Sequence, residues 1–186
     1  MEILTLAPGH GALELPGLGR IWLGWSAKGL VMLDQHDRPF GPDRFERWLP
    51  EVPADAAPSP VPEVFAERLG AYARGQAVDP AELPSDLRGT AFQNRVWAAL
   101  QRVPRGQVRT YAGLGADAGA PRAMRAVGTA MAKNPLPIVV PCHRVVAHGA
   151  RLGGYSDGLG RKKQLLALEG VRLEGDRVLG LQLDLL

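Results

Sequence analysis

The chain is organised around one stretch, residues 134–145, which reads NPLPIVVPCHRV. It contains Cys142, the only cysteine among 186 residues. An apolar run from Ile138 to Val140 leads the chain through a core, and Pro141 ends it, so that the thiol follows beside an imidazole and a guanidinium. Nearby positive charge favours a thiolate and lowers a cysteine pKa from about 8.5. We interpret Cys142 as a nucleophile; the alternative is a buried structural cysteine, the commoner role of a single cysteine.

Length and composition describe an ordinary globular protein of one large or two small domains. The apolar content of 46% is sufficient for a buried core. No run of eighteen apolar residues is present, and the first residues lack the basic-then-apolar order of a secretory signal. We therefore expect a cytoplasmic protein, associated with the nucleoid if the chain is bacterial, with no membrane partner. A single cysteine excludes an internal disulfide and a CxxC zinc site, and we expect no metal.

Basic side chains are concentrated around the proposed nucleophile. Residues 105–163 carry 10 basic and 2 acidic side chains, a net charge of +8. By contrast, residues 1–104 carry 10 basic and 13 acidic side chains, and residues 164–186 carry 2 and 4. Such a block is typical of a surface that binds a polyanion, with nucleic acid as the leading candidate. The alternative is a solvated basic face.

The N-terminal half shows the pattern of a small α/β domain, residues 1–85. The predicted strands are 3–6, 13–15, 19–25 and 30–33, the last two forming a hairpin. The predicted helices are 45–49 and 62–74, and the second has an apolar stripe of Val64, Phe65, Leu69 and Tyr72. Proline-containing residues 76–88 show little periodicity and connect the two halves.

The C-terminal half, residues 86–186, is predicted to be mostly α-helical. Thr90 and Gln93 form a capping box that starts a helix over 91–102. Further helices are predicted at 111–118, from Pro121 to 133, and at 161–169. The helices at 111–118 and 121–133, which are separated by a glycine-containing turn, form a helix-turn-helix. This shape also occurs in helical domains that do not bind DNA, so DNA binding is an interpretation that rests on the basic block.

The third predicted helix has one apolar face and one basic face. Met124, Val127 and Met131 recur at helical spacing and should contact the core. The opposite face carries cations and small residues, which would allow close approach to a nucleic acid. Its members are Arg122, Arg125, Gly128, Thr129 and Ala132.

Several separated blocks strengthen the interpretation of Cys142. In chain order they are FQNRVW (92–97), TY (110–111), NP (134–135), PCHRV (141–145), GGYS (153–156) and LLALEG (165–170). Together they resemble the O6-alkylguanine-DNA alkyltransferase family over roughly residues 88–172. The resemblance implies an α/β N-terminal domain followed by a winged-helix-like domain with a helix-turn-helix.

The resemblance also implies a mechanism. The Cys142 thiolate would displace guanine from the alkyl carbon and become a thioether, without any cofactor, so that each molecule reacts once. His143 would take the thiol proton through a water, and Glu169 would hold His143. On the residues alone, a surface carboxylate at a helix end is the better interpretation of Glu169. We expect Glu169→Gln to preserve folding and to slow the reaction strongly.

The implied partner is double-stranded DNA carrying O6-alkylguanine, bound by a monomer through the minor groove after the base has turned out of the stack. Arg125 would fill the vacated place, although a phosphate contact is the alternative, and Tyr111 would crowd the phosphate. The implied pocket contacts are the carbonyls of Cys142 and Val145, and the side chains of Ser156, Tyr155 and Met131. Arg122, Gly128 and Thr129 would contact DNA, and Asn134 would brace the helix against the cysteine stretch.

Two other functional classes stay open at this point. One is a DNA-binding damage sensor or regulator with a reactive thiol but no productive repair. The other is a cysteine hydrolase, which would turn over repeatedly and would leave the basic helix-turn-helix unexplained. Asp157, an acid next to Ser156, leaves the range of alkyl groups undetermined.

Overall fold

The structure is a computed structural model that describes residues 6–36 and 39–180. The chain forms two compact units: residues 1–88 with 135–139, and residues 89–134 with 140–186. The predicted strand 3–6 lies outside the described residues except for Leu6, which is not in a strand. Residues 181–186 also lie outside the described residues. The predicted division into separate domains between residues 85 and 86 stays a prediction.

The first unit contains a three-stranded antiparallel sheet in the order β1-β2-β3. Its strands are β1 (Gly9–Leu15), β2 (Gly19–Ser26) and β3 (Gly29–Asp34). Its helices are α1 (Pro42–Trp48) and α2 (Glu63–Ala73), followed by a 3-10 turn at Pro80–Glu82. The turn between β2 and β3 requires glycine, because a Cβ at Gly29 would lie 2.4 Å from the carbonyl oxygen of Pro84. The predicted hairpin and the α/β character of this half are confirmed.

The apolar stripe of α2 is narrower than the sequence predicts. Phe65, Leu69 and Tyr72 are fully buried, but Val64 is 37% exposed. Neighbouring residues on a helix lie about 100° apart, so Val64 cannot share the buried face that Phe65 occupies. The assignment of Val64 to that face was wrong.

The second unit is mostly helical and contains the predicted helix-turn-helix. Its helices are α3 (Ala91–Gln101), α4 (Tyr111–Asp117), α5 (Met124–Ala132) and α6 (Gly158–Leu168). Two-residue strands accompany them, with β4 (Arg109–Thr110) parallel to β5 (Val145–Val146), and β6 (Leu173–Glu174) antiparallel to β7 (Arg177–Val178). Short 3-10 turns lie at Cys142–Arg144 and His148–Ala150. The fold class is confirmed, and no helix in residues 6–36 and 39–180 is long and apolar enough to cross a membrane.

Local capping fixes the start of α3 as predicted. The Thr90 hydroxyl accepts a hydrogen bond from the Gln93 amide, and the Gln93 side chain accepts one from the Thr90 amide at 2.8 Å. Trp97, fully buried on this helix, donates from its indole Nε1 to the Ala130 carbonyl of α5 at 2.9 Å. The capping box therefore starts the helix, and Trp97 fixes it against the second helix of the helix-turn-helix.

The boundaries of α5 and α6 differ from the prediction. Helix α5 begins at Met124 rather than Pro121, and α6 begins at Gly158 rather than Arg161. Val127 and Met131 are buried as predicted, but Met124 is 55% exposed. A side chain at the first helical position points back beyond the helix end, where no preceding turn covers it. The assignment of Met124 to the core was wrong.

Candidate active site

Cys142 lies at the start of a 3-10 turn, directly after Pro141. The strand that follows this turn, β5, pairs with β4, and β4 leads directly into α4. Cys142 is therefore held beside the first helix of the helix-turn-helix. The residue is only 7% exposed, yet it lines a cavity of about 250 Å³. The cavity is lined by Tyr111, Gly128, Met131, Ala132, Cys142, Gly154, Tyr155 and Ser156.

The predicted pocket residues divide into two groups. Tyr111, Met131, Tyr155 and Ser156 line the cavity together with Cys142. Val145, by contrast, is fully buried and does not line the cavity. Its carbonyl accepts a hydrogen bond from Lys162, although a carbonyl oxygen keeps a second lone pair for another donor. The role of Val145 in guanine binding stays a prediction.

Asn134 connects the end of α5 to the cysteine stretch. Its side-chain amide donates to the Val140 carbonyl at 2.8 Å and to the Cys142 sulfur at 3.3 Å. One side chain therefore fixes both the backbone before the nucleophile and the sulfur atom itself. A donor aimed at sulfur stabilises a thiolate more than a thiol, because the thiolate is the better acceptor.

The resting state of Cys142 is a thiol, contrary to the expectation from its sequence neighbours. Burial raises the pKa of Cys142 above its usual value, while the hydrogen bond from Asn134 and the charge of Lys162 act in the opposite direction. The negative charge of Asp157 reinforces the effect of burial. A buried thiolate loses hydration that adjacent charges replace only in part. The nucleophile must therefore be activated by a base.

His143 and Glu169 are in contact, 26 positions apart in sequence. The imidazole Nε2 lies 2.8 Å from the Glu169 Oε1, and both side chains are completely buried. The pKa of His143 is lowered by burial, so the imidazole is neutral at neutral pH. Burial opposes ionisation of Glu169, but hydrogen bonds from His143 and Arg144 hold its pKa below the usual range. The alternative of a surface carboxylate at position 169 is thus wrong.

These protonation states determine the tautomer of His143. An ionised carboxylate can only accept hydrogen bonds, so we assign the proton of the neutral imidazole to Nε2. Nδ1 then carries the lone pair. It is buried and has no hydrogen-bond partner among the described residues. His143 therefore presents an unused basic nitrogen, as a general base requires.

The guanidinium of Arg144 does not activate the thiol, although the sequence places it two positions from Cys142. Arg144 is fully buried and binds Glu169 through Nε and Nη2, both at 2.9 Å. Its Nη1 donates to the Val103 carbonyl at 2.7 Å. The guanidinium thus holds the carboxylate that orients His143, and the expectation that it acts directly on the thiol was wrong.

Lys162 is a buried cation that sequence reasoning missed. It lies on α6 with no exposed surface and interacts electrostatically with Cys142. The spacing contained a usable signal, because positions 162, 165, 166 and 169 follow the i, i+3, i+4, i+7 pattern of a buried helix face. Two charged residues on such a face, Lys162 and Glu169, indicate a buried polar site. The apolar members, Leu165 and Leu166, are fully buried.

The outer face of α5 leads towards the cavity. Arg122, Arg125 and Thr129 are exposed, as predicted, and the Thr129 hydroxyl donates to the Arg125 carbonyl at 3.0 Å. Gly128 is half-buried and lines the cavity, and a Cβ there would meet no atom within 4 Å. Helix α5 therefore carries one exposed cation, Arg125, and residues that line the site, and Arg122 lies in the turn before it.

A larger cavity of about 610 Å³ in the second unit contains neither the nucleophile nor its base. It lies between the end of α3 and the β6-β7 hairpin and is lined by Arg102, Arg109 and Arg172, among others. Asp117 pairs with Arg109 there at 2.8 Å. The reactive groups place the candidate active site in the smaller cavity. Among residues 6–36 and 39–180, no group of three His, Cys, Asp or Glu side chains could hold a metal ion.

Comparison with known proteins agrees with this geometry. Residues 91–171 match the family model of the 6-O-methylguanine DNA methyltransferase DNA-binding domain. A methylated-DNA-protein-cysteine methyltransferase of Mycobacterium bovis is 38% identical over 169 residues, which cover 91% of this chain and 92% of the relative. The enzyme of that name from Mycolicibacterium paratuberculosis is 50% identical over 111 residues, or 58% of this chain and 67% of the relative.

A solved structure is also similar. The crystal structure of Mycobacterium tuberculosis OGT in complex with DNA superposes with a TM-score of 0.73 at 35% identity, covering 87% of this chain and 92% of that chain. The chain belongs to the methylated-DNA-protein-cysteine methyltransferase family. An enzyme of this family requires an acceptor cysteine, and Cys142 is the only cysteine present. The suspected resemblance to the alkyltransferases is confirmed.

Proposed function

We propose that this methyltransferase repairs O6-alkylguanine in double-stranded DNA by transferring the alkyl group to the sulfur of Cys142, once per molecule. The observation that carries the proposal is the cavity that ends on Cys142. Behind it lie a neutral His143 with an unused Nδ1 and the ionised Glu169. A thiol at the wall of a cavity, with a base and an orienting carboxylate behind it, is the arrangement that nucleophilic catalysis needs.

The chemical step is a direct displacement. The Cys142 proton passes through a water to Nδ1 of His143, and the resulting imidazolium is stabilised by the Glu169 carboxylate. The sulfur attacks the alkyl carbon while the bond from that carbon to O6 breaks. The electron pair of the broken bond stays on guanine, which takes up a proton. A thioether is a poor leaving group towards water, so the cysteine is not regenerated. No cofactor enters this balance.

Access to the alkyl carbon requires the damaged base to leave the duplex stack, which costs a few kcal/mol. The exposed position of Arg125 on α5 supports a role in filling the vacated place. Tyr111 lines the cavity and would crowd the phosphate of the extruded nucleotide. Gly128, an open position that lines the cavity, would permit close approach of the backbone to DNA.

The remaining contacts follow from the lining of the cavity. Ser156 would contact O6, Tyr155 and Met131 would enclose the base, and the carbonyls of Cys142 and Val145 would accept from the guanine amino group. Arg122 and Thr129 would contact the DNA backbone. The relative from Mycobacterium tuberculosis was solved with DNA, which supports DNA as the partner here. We propose a monomer that binds in the minor groove.

The test is the mass of the intact protein after mixing with a duplex containing O6-methylguanine. We expect one added methyl group, saturating at one per molecule and mapped to Cys142 by peptide sequencing, with stoichiometric loss of the lesion. Cys142→Ser is the matched control and should bind the same duplex without gaining mass. Binding without any methyl transfer in the native protein would instead identify a damage sensor, and continued turnover would identify a hydrolase.

A further inference from the structure

Lys162 is a completely buried lysine in the second turn of α6. Its ammonium group donates to three backbone carbonyls, those of Val145 at 2.6 Å, Gly154 at 3.4 Å, and Leu152. An ammonium has three protons, so these carbonyls satisfy all of them. Burial of a cation is unfavourable unless its lost hydration is replaced in this way. The surroundings of Lys162 are therefore arranged around a positive charge.

The three carbonyls belong to two chain segments that carry residues of the active-site cavity, although only Gly154 of the three lines the cavity itself. Val145 follows the 3-10 turn that begins with Cys142. Gly154 lines the cavity and directly precedes Tyr155 and Ser156, which also line it. A single side chain on α6 therefore ties the nucleophile segment and the pocket loop to one point, and loss of its ammonium would release both.

The charge of Lys162 is not neutralised by a carboxylate. Within the described part of the chain, Lys162 bonds only to the three carbonyls and makes no ion pair. Its charge acts on Cys142 and on His143, and Cys142 acts on it in return. Asp157 and Tyr111 are the other titratable groups that interact with the thiol. A thiolate at Cys142 would thus become the missing counter-charge.

We propose that Lys162 is a positioning residue for alkyl transfer, which holds together the Cys142 segment and the loop before Tyr155 and supplies the buried positive charge that stabilises the Cys142 thiolate. The inference rests on the proposed function. The property that it concerns, the acidity of one thiol, can nevertheless be measured without DNA. Because Cys142 is the only cysteine, any thiol reagent reports on this site alone.

The first experiment measures the pH dependence of alkylation of Cys142 by iodoacetamide in Lys162→Met, a substitution of similar length without charge. We expect the pKa of the thiol to rise by about one unit and the rate at pH 7 to fall about tenfold. Transfer from O6-methylguanine should slow in parallel. Lys163→Met is the matched control, since the neighbouring Lys163 pairs with the exposed Asp176 at 2.7 Å and should leave both quantities unchanged.

The second experiment uses the native protein, so that it decides the question even if Lys162→Met does not fold. Burial lowers the pKa of Lys162 to about 8, and the charge of Cys142 opposes that shift. Iodoacetamide forms a neutral thioether at sulfur, with release of iodide and the thiol proton, whereas iodoacetate, by the same displacement, leaves a carboxylate and therefore a fixed negative charge at the same place. By reciprocity, the pKa of Lys162 should be higher in the protein alkylated with iodoacetate than in the protein alkylated with iodoacetamide, by about half a unit or more. The chain has three other lysines, Lys28, Lys133 and Lys163, whose side-chain NMR titrations should not change.

A folded Lys162→Met with the native thiol pKa, or a Lys162 titration that is the same after iodoacetate as after iodoacetamide, would overturn the inference. Lys162→Arg separates the two parts of the role. It keeps the charge but alters the geometry of three carbonyl contacts, and we expect a native thiol pKa with slower methyl transfer. A native protein that takes up no methyl group would count against the proposed function alone, because the iodoacetamide measurements do not depend on DNA.

Discussion

At the scale of single residues, the chemistry depends on one carboxylate with two partners. Glu169 accepts from the His143 imidazole and from two nitrogens of Arg144, all of them buried. The negative charge is balanced by the guanidinium, so the imidazole can remain neutral and basic until the thiol proton arrives. The resulting imidazolium then has a carboxylate already in place, which is preorganisation in the electrostatic sense.

This network changes the expectation for Glu169→Gln. The substitution leaves the buried guanidinium of Arg144 without a counter-charge, which costs about 3–5 kcal/mol when one partner of a buried pair is removed. We now expect a marked loss of stability in addition to slower transfer, the latter by about a hundredfold or more if His143 acts as the general base. Chemical denaturation and single-turnover kinetics measure the two effects. Glu174→Gln, at an exposed carboxylate, is the control.

Glu169→Gln should also alter how the free energy of unfolding decreases at acid pH. A carboxyl group whose folded pKa is depressed contributes stability above its unfolded pKa, here 4.5, and loses that contribution as pH falls. His143, whose pKa is lowered by burial, adds a loss that begins below about 6.5. Glu169→Gln should therefore show a shallower decline below pH 4.5 than the native protein. Parallel declines, or an unchanged transfer rate, would remove Glu169 from the network.

At the scale of elements, α5 joins recognition to chemistry. Its exposed face carries Arg125 and Thr129, its cavity face carries Gly128 and Met131, and Asn134 follows its last turn and contacts the Cys142 sulfur. The C-terminal end of α5 is held by two hydrogen bonds, from Trp97 to the Ala130 carbonyl and from Asn134 to the Cys142 sulfur. DNA bound on the exposed face of α5 would therefore be held at a fixed position relative to the Cys142 sulfur.

Substitution of two arginines separates base replacement from phosphate binding. Arg125→Ala should slow repair of a duplex more than repair of the same lesion in a single strand, because only the duplex has a vacated place to fill. Arg122 lies in the exposed turn before α5, and Arg122→Ala should weaken binding to both substrates equally. It should also reduce the slope of log K against log salt concentration by about one. Equal losses for Arg125→Ala on both substrates would identify a phosphate contact instead.

At the scale of the whole molecule, the two compact units are not two continuous halves of the chain. Residues 135–139 cluster with the first unit, in which the Pro135 carbonyl accepts from the Leu33 amide at 2.8 Å. Leu136, Ile138 and Val139 in this segment are completely buried. The connection from α5 to the nucleophile therefore contributes to the core of the other unit.

This arrangement predicts the behaviour of a fragment. A chain of residues 86–186 alone would expose the three apolar side chains of segment 135–139, each contributing about 1.5–3 kcal/mol when fully buried. We expect the fragment to melt at a lower temperature than the full chain and to transfer methyl groups more slowly. Thermal unfolding followed by circular dichroism measures the difference. A fragment as stable as the full chain would support the division at residues 85 and 86 into independent domains.

The sequence alone determined the type and order of the helices near the site and the identity of the nucleophile. Thr90 and Gln93 start α3 through contacts three residues apart, and Gly119, between α4 and α5, breaks the helix locally. Such signals act over one or two turns, so they can be recognised without knowledge of distant neighbours. The family resemblance, carried by short blocks around Cys142, added the acceptor role.

Only the tertiary structure decided the charge states on which reactivity depends. The sequence places His143 and Arg144 beside the thiol, but both turn to Glu169, and the cation that acts on Cys142 is Lys162 from a later helix. The physical reason is that the free energy of a charge depends on its burial and on neighbours through space. Adjacency in the chain determines neither.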